Sequence, residues 1–127
     1  MSNNTFDFSV VVNEANTAKA VGSGSLEVFA TPSLAALAEK TACMLLEGTL
    51  EEGTTTVGTV LNIKHIAPTP IGATVSCTCR LTEKDGRKIC FEMELFDAQG
   101  KVGEVYHERF VVYSESFMKK ALLRGEQ

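Results

Sequence analysis

Thr31, Glu39 and His65 are the side chains whose types and spacing could do chemistry together. Glu39 lies in the middle of ATPSLAALAEKTACMLLEG, residues 30–48, flanked at helical spacing by Ala35, Ala38, Ala42 and Cys43. A carboxylate among small apolar neighbours is costly to bury unless it is paired, and such groups gather where proteins do chemistry. The plainer reading sets Glu39 and Lys40 on a narrow solvated strip. His65 ends a β-like run, TTTVGTVLNIKHIAPTP, and continues the more apolar of its two faces. A lone histidine there is often a satisfied core residue. An imidazole and a carboxylate in one partly dry site are, however, the parts of an acid–base or nucleophile-activating pair. Thr31 has an ordinary explanation as a helix N-cap, yet a hydroxyl at a helix N-terminus is also a place to hold an oxyanion.

The elements that must position these residues follow from periodicity. Thr31 is expected to cap a helix that has Pro32 at its first position and stops near Gly48. Its faces are apolar nearly all round, so burial is expected. Phe6, Phe8, Val10 and Val12 alternate with Asp7, Ser9, Val11 and Asn13 as a half-buried strand, and NEANTAKAVGSGS, residues 13–25, reads as a flexible loop. After Gly53, strict alternation puts Val57, Thr59, Leu61, Ile63 and His65 on one strand face and Gly58, Val60, Asn62, Lys64 and Ile66 on the other. Pro68 and Pro70 end that strand. Val75, Cys77, Cys79 and Leu81 face inward on the next, and Lys84-Asp85-Gly86-Arg87 signals a tight hairpin. Ile89, Phe91, Met93 and Leu95 line the returning strand. Val102–Tyr113 alternates less cleanly, which suggests a bulge. His107 has no clear facing within it and is expected to be structural or exposed. Ser114–Arg124 reads as a short terminal helix.

Strand, helix and four further strands make an α+β domain with the helix across the inner face of an antiparallel sheet. The last four strands are expected to form a meander that the first strand joins from elsewhere. Helix rise adds a constraint, since eight residues separate Thr31 from Glu39 by ~12 Å on a straight helix. Either the first turn bends or a second subunit completes the site, and a small sheet with free edges favours a homodimer.

Composition limits the alternatives. A chain of 127 residues holds one domain, expected to span residues 1–127. Its net charge of −4 argues against a non-specific nucleic-acid binder. The N-terminus lacks the pattern of a secretory signal and no apolar run approaches the ~20 residues of a membrane span, so a cytoplasmic protein is expected. Cys43, Cys77, Cys79 and Cys90 form no CxxC pair, and free, mostly buried thiols are expected rather than disulfides or a metal site. Lys64, Arg80, Lys84, Arg87 and Lys88 could meet a phosphorylated ligand, but basic residues are common on exposed strands and turns.

The runs VFATPSLAALAEKTA, GTTTVGTVLNIKHIAPTPIG and YHERFVVY together resemble hotdog-fold thioesterases related to fluoroacetyl-CoA thioesterase. The resemblance extends from about Phe8 to Phe117. It implies an antiparallel sheet of about five strands around a long central helix, and a homodimer with active sites at the subunit interface. It implies acyl-CoA thioester hydrolysis without a metal or cofactor. It also implies a catalytic threonine, carboxylate and histidine, matched by Thr31, Glu39 and His65, and a backbone N–H donor to the thioester carbonyl, matched by Gly58. On strict alternation Gly58 and His65 would point to opposite faces. The chain departs from the fluoroacetyl-specific enzyme upstream of the threonine. That enzyme has an aromatic gate there, and this chain has Val21-Gly22-Ser23-Gly24-Ser25. A covalent route through Thr31 or Glu39 and direct attack by water need the same residue types. The alternatives are a non-catalytic acyl-CoA or small-ligand binding protein and, without an Asp-x-x-x-x-His motif to support it, an enoyl-thioester hydratase.

Overall fold

Inward-facing apolar residues at every second position build the sheet. In the computed structural model, which describes residues 4–126, β3 (Thr74–Asp85) buries Val75, Cys77 and Cys79. β4 (Lys88–Asp97) buries Ile89, Phe91, Met93 and Leu95 on the same face. Met1–Asn3 and Gln127 of the expected domain lie outside the described residues. The hairpin between β3 and β4 turns through Gly86, whose φ of 62° is the left-handed conformation that glycine adopts without strain.

β1 (Thr5–Val11), β2 (Thr54–His65) and β5 (Gly100–Tyr113) complete an antiparallel sheet in the order β1-β3-β4-β5-β2. The expected four-strand meander is therefore only partly formed. β3, β4 and β5 are consecutive neighbours, but β2 crosses the sheet and pairs with β5 at one edge, while β1 closes the other. Pro68 and Pro70 lie in that crossover, where the chain leaves the ladder. The bulge expected in β5 falls at Val102. Leu95 faces Gly103 and Phe96 faces Lys101, which leaves Val102 between them without a partner on β4.

The long helix, α2 (Thr31–Leu46), packs on the inner face through Leu34, Leu37, Ala38, Thr41, Ala42, Leu45 and Leu46. It is buried on one side rather than all round. Pro32, Ala36, Lys40 and Cys43 are exposed, because a single sheet covers one side of a helix. Cys43 is thus an exposed thiol, while Cys77, Cys79 and Cys90 are buried. The segment expected to be a loop contains a single helical turn, α1 (Ala18–Val21), capped by the Thr17 hydroxyl. The terminal helix, α3 (Ser114–Arg124), forms where expected and buries none of its side chains. Among the described residues no helix is long and apolar enough to cross a membrane.

Candidate active site

Thr31 and His65 meet. The threonine hydroxyl lies 2.8 Å from His65 Nδ1. Backbone pairing between the approach to α2 and the turn after β2 brings them together. Phe29 N donates to the Thr69 carbonyl at 2.8 Å, and Val28 forms an antiparallel bridge with Pro70. Thr69 is itself buried and donates its hydroxyl to Asp97. On the other side, Ile66 N and Ala67 N both donate to the Val102 carbonyl at the β5 bulge. The APTP segment thus holds the start of α2 against the end of β2. Gly103 permits the fit, because a Cβ there would lie 2.9 Å from the Lys64 carbonyl oxygen.

Thr31 is not the helix cap. That position belongs to Ala30, whose carbonyl accepts the first helical bond from Leu34 N, and no side chain caps the end. The Thr31 hydroxyl is therefore available to His65. Burial pulls the His65 pKa below its ordinary value, against a smaller opposing effect of the Ala67 backbone. His65 Nε2 is buried and has no hydrogen-bond partner among the described residues. A neutral imidazole whose Nδ1 faces a hydroxyl can accept its proton.

Glu39 meets a different set of residues. Its carboxylate lies over Gly58, where a Cβ would fall 2.6 Å from Oε2, and Arg109 Nη1 approaches the same oxygen to 3.6 Å. Arg109 is held on the sheet by Thr56, with Nε donating to the hydroxyl at 2.8 Å and Nη2 to the carbonyl at 2.9 Å. Glu39 flanks the buried face of α2 and its side chain is 43% exposed, so it is neither fully buried nor on the solvated strip with Lys40.

A bulge in β2 corrects the expected strand parity. Gly58 pairs with Arg109 and Val60 with Glu108, so Thr59 is an extra residue. Beyond it Leu61 faces His107 and Ile63 faces Val105. Each extra residue reverses the side-chain alternation, so Thr56 and Gly58 share the inner face with Leu61, Ile63 and His65. Gly58 and His65 thus lie on the same face, not opposite ones.

His107 and Arg109 are functional candidates that the sequence reading passed over or left without a facing. Both are buried on the inner face. The signal was present in Val105, His107, Arg109 and Val111, which alternate cleanly once the β5 irregularity is placed at Val102.

The two groups do not meet within one chain. Thr31 and Glu39 are eight residues apart on one helix, about 12 Å of rise. Gly58 and His65 are separated by about 20 Å of strand.

A profile described as fluoroacetyl-CoA-specific thioesterase, FlK, matches residues 12–115. The fluoroacetyl-CoA thioesterase of Streptantibioticus cattleyicolor is 34% identical over 94 residues, covering 74% of this chain and 68% of that protein. A solved structure of a Thr-to-Ser FlK mutant in complex with acetyl-CoA superimposes with a TM-score of 0.92 at 28% identity, covering 99% of this chain and 100% of that one. A Phe-to-Ala FlK mutant in complex with fluoroacetate and CoA gives a TM-score of 0.86 at 29% identity, covering 92% and 99%. A hot-dog-like protein from Thermanaerovibrio acidaminovorans shares the fold, with a TM-score of 0.88 at 22% identity over 97% of this chain and 91% of that one. With a five-stranded sheet against one long helix and a profile match from Val12 to Glu115, the chain belongs to the fluoroacetyl-CoA-specific thioesterase family, a hotdog-fold family of thioester hydrolases.

Proposed function

We propose that this chain hydrolyses a small acyl-CoA thioester, adding water across the C–S bond to release the carboxylic acid and free CoA. The contact that carries this reading is Thr31 Oγ1 to His65 Nδ1 at 2.8 Å, within a family of thioesterases. His65 takes the proton from Thr31 or from a water that Thr31 holds. Glu39 serves as the catalytic carboxylate. The Gly58 N–H donates to the thioester oxygen as it becomes an oxyanion, and passes through the reaction without changing its own protonation. The acyl group is small, and fluoroacetyl selectivity is not part of the proposal. Val21–Ser25, upstream of Thr31, is exposed and has no aromatic side chain.

The functional unit is a homodimer in the cytoplasm, built from one domain per chain. Strand parity supports sites at its interface. β2 is an edge strand, and Gly58–Asn62 are exposed along it. If a second copy adds antiparallel to β2 with a two-fold axis at Asn62, Leu61 faces the partner's Ile63 and Val60 the partner's Lys64. Once Thr59 is passed as the bulge, Gly58 faces the partner subunit's His65. Every such pair shares a face, as an antiparallel ladder requires. Glu39 and Gly58 of one copy then stand beside Thr31 and His65 of the other.

The test is thiol release from acetyl-, haloacetyl-, longer-chain and aromatic acyl-CoAs, run beside Thr31→Ala. Hydrolysis of a short acyl-CoA that is lost in the variant supports the proposal. Saturable acyl-CoA binding with no thiol released would establish the binding-protein alternative instead.

A further inference from the structure

We infer that His107 is a positioning residue, a buried imidazole fixed in one tautomer whose lone pair aims Arg109 at Glu39. The inference rests on the catalytic reading of Glu39 above. His107 is fully buried and stacks on Phe91 with ring centroids 5.9 Å apart and planes at 28°. Its Nδ1 lies 2.8 Å from the Val60 carbonyl, just past the β2 bulge, and its Nε2 lies 3.2 Å from Arg109 Nη1.

These partners settle where the proton sits. A carbonyl only accepts and a guanidinium only donates, so Nδ1 carries the hydrogen and Nε2 presents its lone pair to Arg109. The ring is therefore neutral. Burial holds its pKa below the ordinary value, the Val60 carbonyl opposes that shift, and the Arg109 cation adds to it.

Arg109 Nη1 is thus shared between His107 Nε2 and Glu39 Oε2, while Thr56 holds the other two nitrogens. Thr56 fixes the plane of the guanidinium on the sheet, and His107 accepts one of the two Nη1 hydrogens and steadies that end of the group beside Glu39. The bulge contributes by turning the Val60 carbonyl to His107. One extra residue in β2 is in this way linked through an imidazole and a guanidinium to the catalytic carboxylate. The same ring also packs beside Gly58, where a Cβ would meet His107 Cε1 at 3.2 Å.

Two substitutions separate the halves of this role. His107→Asn can keep a donor for Val60 but its amide oxygen falls short of Arg109, and His107→Gln can place an amide oxygen near the Nε2 position. His107→Asn is expected to lower kcat about 10-fold or more with KM within about 3-fold, and His107→Gln to recover most of that loss. In a Glu39→Gln background, His107→Asn is expected to cost less than about 2-fold, because the residue acts only through that carboxylate. Equal fold-losses in both backgrounds, or equal losses in the Asn and Gln variants at matched Tm, would overturn the inference. Nitrogen-15 NMR of the unsubstituted protein tests it without any variant, and a hydrogen on Nε2 would refute it even if both variants failed to fold. Full activity in Glu39→Gln alone would instead refute the catalytic assignment of Glu39, a failure distinguishable from that of the tautomer.

Discussion

The Glu39 carboxylate occupies the space that a side chain at Gly58 would fill, with a Cβ falling 2.6 Å from Oε2. Gly58→Ala keeps the backbone N–H proposed as the oxyanion donor and displaces chiefly the carboxylate, with the His107 ring, 3.2 Å from the added Cβ, giving by a few tenths of an ångström. Glu39 is the far end of a flexible side chain, so the fold can accommodate the methyl group while the site loses its geometry. kcat/KM is expected to fall about 10-fold, with little change in Tm, because a small displacement of a catalytic group is costly in rate. Steady-state kinetics and a melting curve decide the matter. An alanine variant as active as the parent would show that the Glu39 position over the strand is not needed.

Thr31 gives the second prediction, since its hydroxyl does not cap α2. Were Thr31 the cap, its replacement would destabilise the protein by about 1 kcal/mol. With Ala30 at that position, Thr31→Ala is expected to change stability by less than about 0.5 kcal/mol. Its activity, and that of His65→Ala, is expected to fall by about 10² or more. Denaturant unfolding together with thiol release measures both quantities. A Thr31→Ala protein that is destabilised yet active would return this residue to a structural role.

These two residues show what periodicity can and cannot reveal. The helix, five strands, the β3–β4 turn and the inward faces of β3 and β4 follow from alternation and turn chemistry that one strand specifies by itself. The order of strands does not, because pairing β2 with β5 rather than β3 depends on contacts between distant segments. The bulge at Thr59 is likewise set by the partner strand, and one extra residue was enough to misplace Gly58 relative to His65. His107 and Arg109 escaped notice for a related reason. Polar side chains on an inner face look like interruptions in a strand until their partners, Val60, Thr56 and Glu39, are seen around them.

Acid stability follows from the two histidines. The pKa of each is held below its ordinary value of 6.5 in the folded chain, chiefly by burial. Above about pH 6.5 neither state carries the extra protons and the contribution is complete. As pH falls below that value, the unfolded chain takes up protons that the folded chain resists. Stability is therefore lost progressively until the depressed folded pKa values are passed. Asp97, held below the ordinary carboxylate range first by the Thr69 hydroxyl, does not contribute to this window. Tm is expected to be lower at pH 5.5 than at pH 7.5, and His107→Gln is expected to reduce that difference. A Tm that rises on acidification through this range would contradict the buried neutral imidazoles.

The interface site makes the strongest demand on the proposed dimer. Thr31 with His65 and Glu39 with Gly58 form two pairs on each chain, separated along α2 by about 12 Å, which under the proposed function would be two half-sites. In the two-fold arrangement about Asn62, each complete site draws one half from each copy. His65→Ala and Glu39→Gln homodimers should each be nearly inactive. A mixed dimer of the two would carry one site with both defects and one with neither. After the variants are mixed, unfolded and refolded together, half of the dimers are mixed and each has one working site. About a quarter of the parent activity should then return. Light scattering, read before the mixing experiment, is expected to give twice the 13.7 kDa chain mass. If the refolded mixture is dimeric and remains as inactive as its components, His65 and Glu39 do not act across the interface.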